Sequence, residues 1–136
     1  MKLTIWGAAR QVTGSMHLLE VDGYKILVDC GLDYERETRL AQNEFFPFLP
    51  SDIDVVVLSH AHIDHSGNLP TLIRAGFEGQ ILCTSPTADL AELLLLDSVN
   101  IFEKKQKKQT RGKKHSMGST PLFLFSALGH PKLNFK

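Results

Sequence analysis

A chain of 136 residues with 43% hydrophobic content is long enough for one globular domain and short for two. Its formal charge is zero, but the first 103 residues hold fifteen acidic and six basic side chains, whereas the rest hold nine basic and no acidic ones. Cys30 and Cys83 lie too far apart for a Cys-x-x-Cys site and are too few for a disulfide framework, and no apolar run is long enough for a secretory core or a membrane span, so a cytoplasmic location is expected.

In chain order, residues 3–6, 15–21 and 24–28 read as short strands. The last two are joined at Asp22-Gly23, a pair that favours the positive backbone angles of a tight hairpin. Residues 35–43 are polar and fit a short helix or a loop, and Pro47 and Pro50 break the chain before Asp52. Residues 53–58, with the run Val55-Val56-Val57-Leu58, read as a buried strand. Residues 69–75 carry helical character, with Pro70 in the first turn, where a missing N–H does no harm, and Gly76 as the stop. Another strand covers 80–84. Ser85 is placed to cap a long helix with Pro86 at its first position and an apolar side of Leu90, Leu93, Leu94 and Ile101. Strands followed by helices in this rhythm give a mixed α/β fold.

The densest chemistry lies in His60-Ala61-His62-Ile63-Asp64-His65, directly after the apolar strand. Side chains of an extended segment alternate faces, so His60 and His62 point the same way and can close on one ion. Where the chain turns, Asp64 and His65 can reach a second ion beside the first. Imidazole nitrogen with one carboxylate oxygen suits zinc, or manganese and iron, with a position left open for water. The plainer alternative is a solvated His-rich turn.

The H-x-H-x-D-H pattern does not stand alone. Gly7-Ala8-Ala9-Arg10-Gln11-Val12-Thr13-Gly14-Ser15, Asp29-Cys30-Gly31, Ser66-Gly67-Asn68-Leu69-Pro70, Thr84-Ser85-Pro86-Thr87 and Leu95-Leu96-Asp97-Ser98 follow in order around it. Together they resemble the metallo-β-lactamase superfamily and, within it, the β-CASP RNA-processing nucleases, similar to the cleavage and polyadenylation specificity factor nucleases, over residues 2–103. The resemblance implies the N-terminal half of an αββα sandwich. It implies a site of two zinc ions, with His60 and His62 on one and Asp64 and His65 on the other, each completed by a later His and bridged by a later Asp. It further implies phosphodiester hydrolysis of RNA by a two-zinc-activated hydroxide, with Asp64 also orienting the nucleophile. Asp29 matches the Asp-x-Gly motif, whose carboxylate hydrogen-bonds a ligand His. By its residue type alone, Asp29 also fits a turn cap at a strand end.

Past residue 103 the sequence departs from that pattern, which divides the chain into residues 1–103, the partial metallo-β-lactamase domain, and a basic tail, 104–136, that is divergent or frameshifted. His130, after Ala127-Leu128-Gly129, resembles a third-ligand context without its acids, and Pro131 follows directly. His17 reads as a packed or surface residue and His115 as solvated. Lys104, Lys105, Lys107, Lys108, Arg111, Lys113 and Lys114 could attract a phosphate backbone, although such runs are more often simply solvated. Three readings are open: a two-metal ribonuclease present as an incomplete chain, a thioester-type small-molecule hydrolase of the same superfamily, and a truncated non-catalytic product. RNA is the expected substrate, no membrane contact is expected, and an uncovered half-sandwich would drive self-association.

Overall fold

The computed structural model describes residues 1–33, 46–110 and 135–136, without the side chains of 99–110. Its elements run β1 (Lys2–Ile5), β2 (His17–Val21), β3 (Tyr24–Val28), β4 (Val55–Val57), α1 (Ile63–Ser66), α2 (Leu69–Arg74), β5 (Gln80–Leu82) and α3 (Ser85–Thr110). The expected mixed α/β class holds. Residues 35–43, His115, His130 and the basic residues from Arg111 to Lys114 lie outside the described residues.

The five strands form one sheet in chain order, antiparallel from β1 to β3 and parallel from β3 to β5. Asp22 and Gly23 take φ of 49° and 86°, the paired positive angles that match a two-residue hairpin to the twist of its strands. The register puts Leu18, Leu27, Val56 and Ile81 in one row, all buried, under Leu69 and Leu72 of α2 and Ala91 of α3. This is the core.

Among the described residues no helix covers the opposite face. That face carries the rows Leu3, Leu19, Ile26, Val55 and Gln80, and Ile5, His17, Val28, Val57 and Leu82. Leu3, Ile5, Val57, Gln80 and Leu82 are exposed and none of the ten is charged. One helical layer on one sheet is thus half of the four-layer arrangement that the resemblance implied. It also corrects the expectation that 53–58 is buried throughout: Val56 and Leu58 are buried, but Val57 points to the open face.

The two later helices follow their signals with small shifts. α2 has Pro70 in its first turn, and the chain leaves it through Gly76 at φ 110°. At α3 the cap is one residue earlier than expected. The Thr84 carbonyl accepts the first helical bond, from the Ala88 N–H at 3.0 Å, and the Thr84 and Thr87 hydroxyls meet at 2.9 Å. Its buried face is also rotated from the expected one: Ala91 and Leu95 are buried and Leu94 is half-buried, whereas Leu90 and Leu93 are exposed. Ile101 lies where no side chain is described. Beyond β5, Phe135 forms a parallel bridge to Ile81, and Lys136 exchanges backbone bonds with Ile81 and Cys83. The end of the expected tail therefore lies on the β5 edge.

The rotated face is testable by paired truncations. Leu95→Ala should lower unfolding free energy by about 2–5 kcal/mol, the range for emptying a buried leucine site, and Leu93→Ala by less than about 0.5 kcal/mol. Equal losses in chemical denaturation would put the wrong face on the sheet.

Candidate metal site

In open sheets with parallel strands, sites form beyond the carboxyl ends of those strands. Here Asp29 follows β3, and residues 58–62 lead from β4 into α1. The Asp29 N–H extends the ladder to the Val57 carbonyl at 3.0 Å, and Asp29 takes φ of 59°, a left-handed backbone that asparagine and aspartate tolerate better than most residues. Residues 30–32 then run against the metal motif. The Cys30 N–H bonds to the His65 carbonyl at 2.8 Å, Leu32 N–H to the Ile63 carbonyl at 3.1 Å, and the Asn68 N–H to the Cys30 carbonyl at 2.9 Å. Ser15 adds a third segment, its N–H on the Asp64 carbonyl and its own carbonyl accepting from Gly31, both at 2.9 Å.

The Asp29 carboxylate is buried, and its hydrogen bonds go to the site. Oδ1 accepts from the Ser59 N–H at 2.8 Å. Oδ2 accepts from the Ser59 hydroxyl at 2.9 Å and the Ser15 hydroxyl at 3.4 Å, and lies 2.8 Å from His65 Nδ1. A carboxylate has no proton to give, so the hydrogen of that last contact sits on Nδ1, and a neutral His65 ring presents the lone pair of Nε2. Nε2 lies 3.5 Å from Asp64 Oδ2.

His60 and His62 make a second pair. His60 Nε2 and His62 Nδ1 are 3.1 Å apart, and the His60 ring also lies 4.0 Å from that of His65, centroid to centroid. The motif turns at α1, where the Ser66 hydroxyl donates to the carbonyls of Ala61 and His62 at 2.9 and 3.0 Å. Four predicted ligand residues are thus brought together as two pairs. Among the described residues no group of three or more His, Cys, Asp or Glu is arranged around one point.

Other residues stand apart. His17 Nε2 lies 3.4 Å from the Ser15 hydroxyl and its Nδ1 is buried without a partner, so it touches the margin of the Asp29 network. Burial pushes the Cys30 thiol up, and the Asp29 charge adds to the effect, so it stays protonated and is no thiolate ligand. Ser59, Ser15 and Gly31 were not expected as site residues. Ser59 and Ser15 act by contacts across the fold that sequence order does not display.

Residues 9–105 match the model of the metallo-beta-lactamase superfamily. The chain belongs to that superfamily. It is 40% identical to Ribonuclease TTHA0252 of Thermus thermophilus over 103 residues, 76% of this chain and 24% of that protein. It is 36% identical to Transcription termination factor FttA of Methanosarcina mazei over 110 residues, 79% of this chain and 17% of that one. The chain thus spans a quarter or less of the length of these two relatives. A solved metallo-β-lactamase of Cronobacter sakazakii is 26% identical, with a TM-score of 0.43, over 58% of this chain and 28% of its own.

Membership in the metallo-β-lactamase superfamily implies divalent metal ions, and the donors fit them. Two nitrogens about 2.0–2.1 Å from one ion are 3.1 Å apart when the angle between them is about 100°, between the octahedral and tetrahedral values. The His65 and Asp64 spacing of 3.5 Å corresponds in the same way to about 117°. No helix among the described residues is long and apolar enough to cross a membrane.

Gly31 supplies the test of this packing. A Cβ there would land on the Asp64 carbonyl oxygen, whereas one at Gly23 would meet nothing within 4 Å. Gly31→Ala should therefore weaken zinc binding by at least about tenfold, and Gly23→Ala should cost only backbone strain of about 1 kcal/mol with zinc binding unchanged. Equal zinc titrations for the two variants would contradict the packing.

Proposed function

We propose that this chain is the metal-motif segment of a β-CASP-type metal-dependent ribonuclease. His60 and His62 would hold one ion, Asp64 and His65 the other, zinc or alternatively manganese or iron, with Asp29 fixing the direction of His65. The observation that carries the metal reading is the pair of spacings, 3.1 and 3.5 Å, set on either side of one buried carboxylate. RNA as substrate is supported by the relatives named ribonuclease and transcription termination factor. Bound there, such ions lower the pKa of a water and neutralise charge developing on a phosphoryl group. This chain's part is to hold four donors at fixed spacing and to position Asp64 beside the reacting group.

Each pair supplies two donors, where catalytic zinc sites use three protein ligands. The 136-residue chain alone should therefore bind zinc weakly and leave RNA uncut. Two ions per chain retained after dialysis against a mild chelator would contradict this, and would direct attention to His130 or a second chain as the supplier. The activity itself is tested by joining residues 1–103 to the remainder of a ribonuclease relative. The product should cleave labelled single-stranded RNA with added zinc or manganese, and Asp64→Ala should abolish cleavage with a smaller effect on RNA binding. Hydrolysis of a thioester with RNA left intact would favour the small-molecule reading instead.

The open sheet face supports self-association of this chain. Its rows are uncharged and aliphatic apart from His17 and Gln80, so a second copy offers a matching surface. Light scattering should report dimers or larger species, shifted toward monomer by Ile5→Glu with Val57→Glu; a monomer before substitution would contradict the proposal.

A further inference from the structure

The hydrogen-bond network does not end at His65. Ser59 is held to Asp29 at two points, its N–H on Oδ1 at 2.8 Å and its hydroxyl oxygen 2.9 Å from Oδ2, and that hydroxyl oxygen also lies 3.0 Å from His60 Nδ1. A hydroxyl has one proton. Given to His60, it would leave the serine oxygen facing a carboxylate oxygen at 2.9 Å with nothing between them, a repulsive contact. Given to Asp29, it leaves the serine lone pairs to accept from His60 Nδ1–H, and every contact is attractive. The neutral His60 ring then carries its lone pair on Nε2, the atom 3.1 Å from His62 Nδ1.

We infer that Ser59 is a positioning residue that fixes the tautomer of His60, so that the single carboxylate of Asp29 orients one histidine in each pair. The path is one hydrogen bond long to His65 and two to His60. The inference rests on the metal reading only for its consequence, since the tautomer itself is a property of the metal-free chain. The two halves of the site are then coupled: what disturbs Asp29 disturbs both, and what disturbs the Ser59 hydroxyl disturbs one.

The variants are Ser59→Ala, which keeps the N–H bond to Asp29 and removes the hydroxyl, and Ser59→Thr, which restores it. The first readout is the ring nitrogen NMR of His60 and His65 in metal-free protein, at a pH where both rings are neutral. The wild type should show His60 as the Nδ1–H form, Ser59→Ala a mixture of forms at His60 alone, and Ser59→Thr the wild-type pattern. The second readout is stepwise zinc titration, in which Ser59→Ala should weaken the His60 and His62 step by about tenfold, the low end for a partner of a ligand histidine, and spare the other step. A wild-type His60 in the Nε2–H form, an unchanged His60 in Ser59→Ala, or equal changes at both histidines would overturn the inference. A wild type that binds no zinc while showing the expected tautomers would sink the metal reading and leave the role of Ser59 standing.

Discussion

A carboxylate withdrawn from water must find its hydrogen bonds inside the protein, because an unmet one costs the full desolvation of the group. Asp29 meets that requirement with Ser59, His65 and Ser15, and so draws the segment after β4, the start of α1 and the end of the β1 to β2 loop onto the end of β3. Its left-handed backbone and the bare Cα of Gly31 allow the approach. The backbone bonds of residues 30–32 to 63–65 then hold the donors at their spacing. Neither pair of candidate ligands is set by its own short stretch of chain alone.

The sheet supplies the rigidity for this. Leu27 of β3 and Val56 of β4 are fully buried neighbours in register, and one residue further along each parallel strand the chain emerges at the carboxyl edge. Asp29 and Ser59 are therefore delivered side by side by strands whose separation is fixed by hydrogen bonding and core packing. Among the described residues no helix lies on the opposite face of the same strands, and Val28 and Val57 are partly exposed beneath the site.

Much of this was legible in the sequence where the signal is local. The candidate ligands of residues 60–65 are contiguous, Asp22-Gly23 announces its hairpin, and Pro70 and Gly76 bracket α2, because each lies within a few neighbouring residues. The errors came where the answer depends on what lies across the fold. Val57 looks as buried as Val56 until the described helices are found on one side of the sheet only. Leu90 and Leu93 form a plausible helical stripe, yet α3 is turned so that Ala91 and Leu95 are buried instead. Ser59 is an ordinary residue beside a His-rich run until Asp29, thirty positions earlier, is placed against it.

The central claim is that one buried carboxylate organises both halves of the site. It is tested most directly by stepwise zinc titration of Asp29→Asn, in which an amide N–H replaces one acceptor and opposes the donors of Ser59 or His65. Both steps should weaken by about 10-fold to 100-fold, with near-native circular dichroism. Wild-type affinity at both steps, or a loss confined to the step that uses His65, would contradict the account.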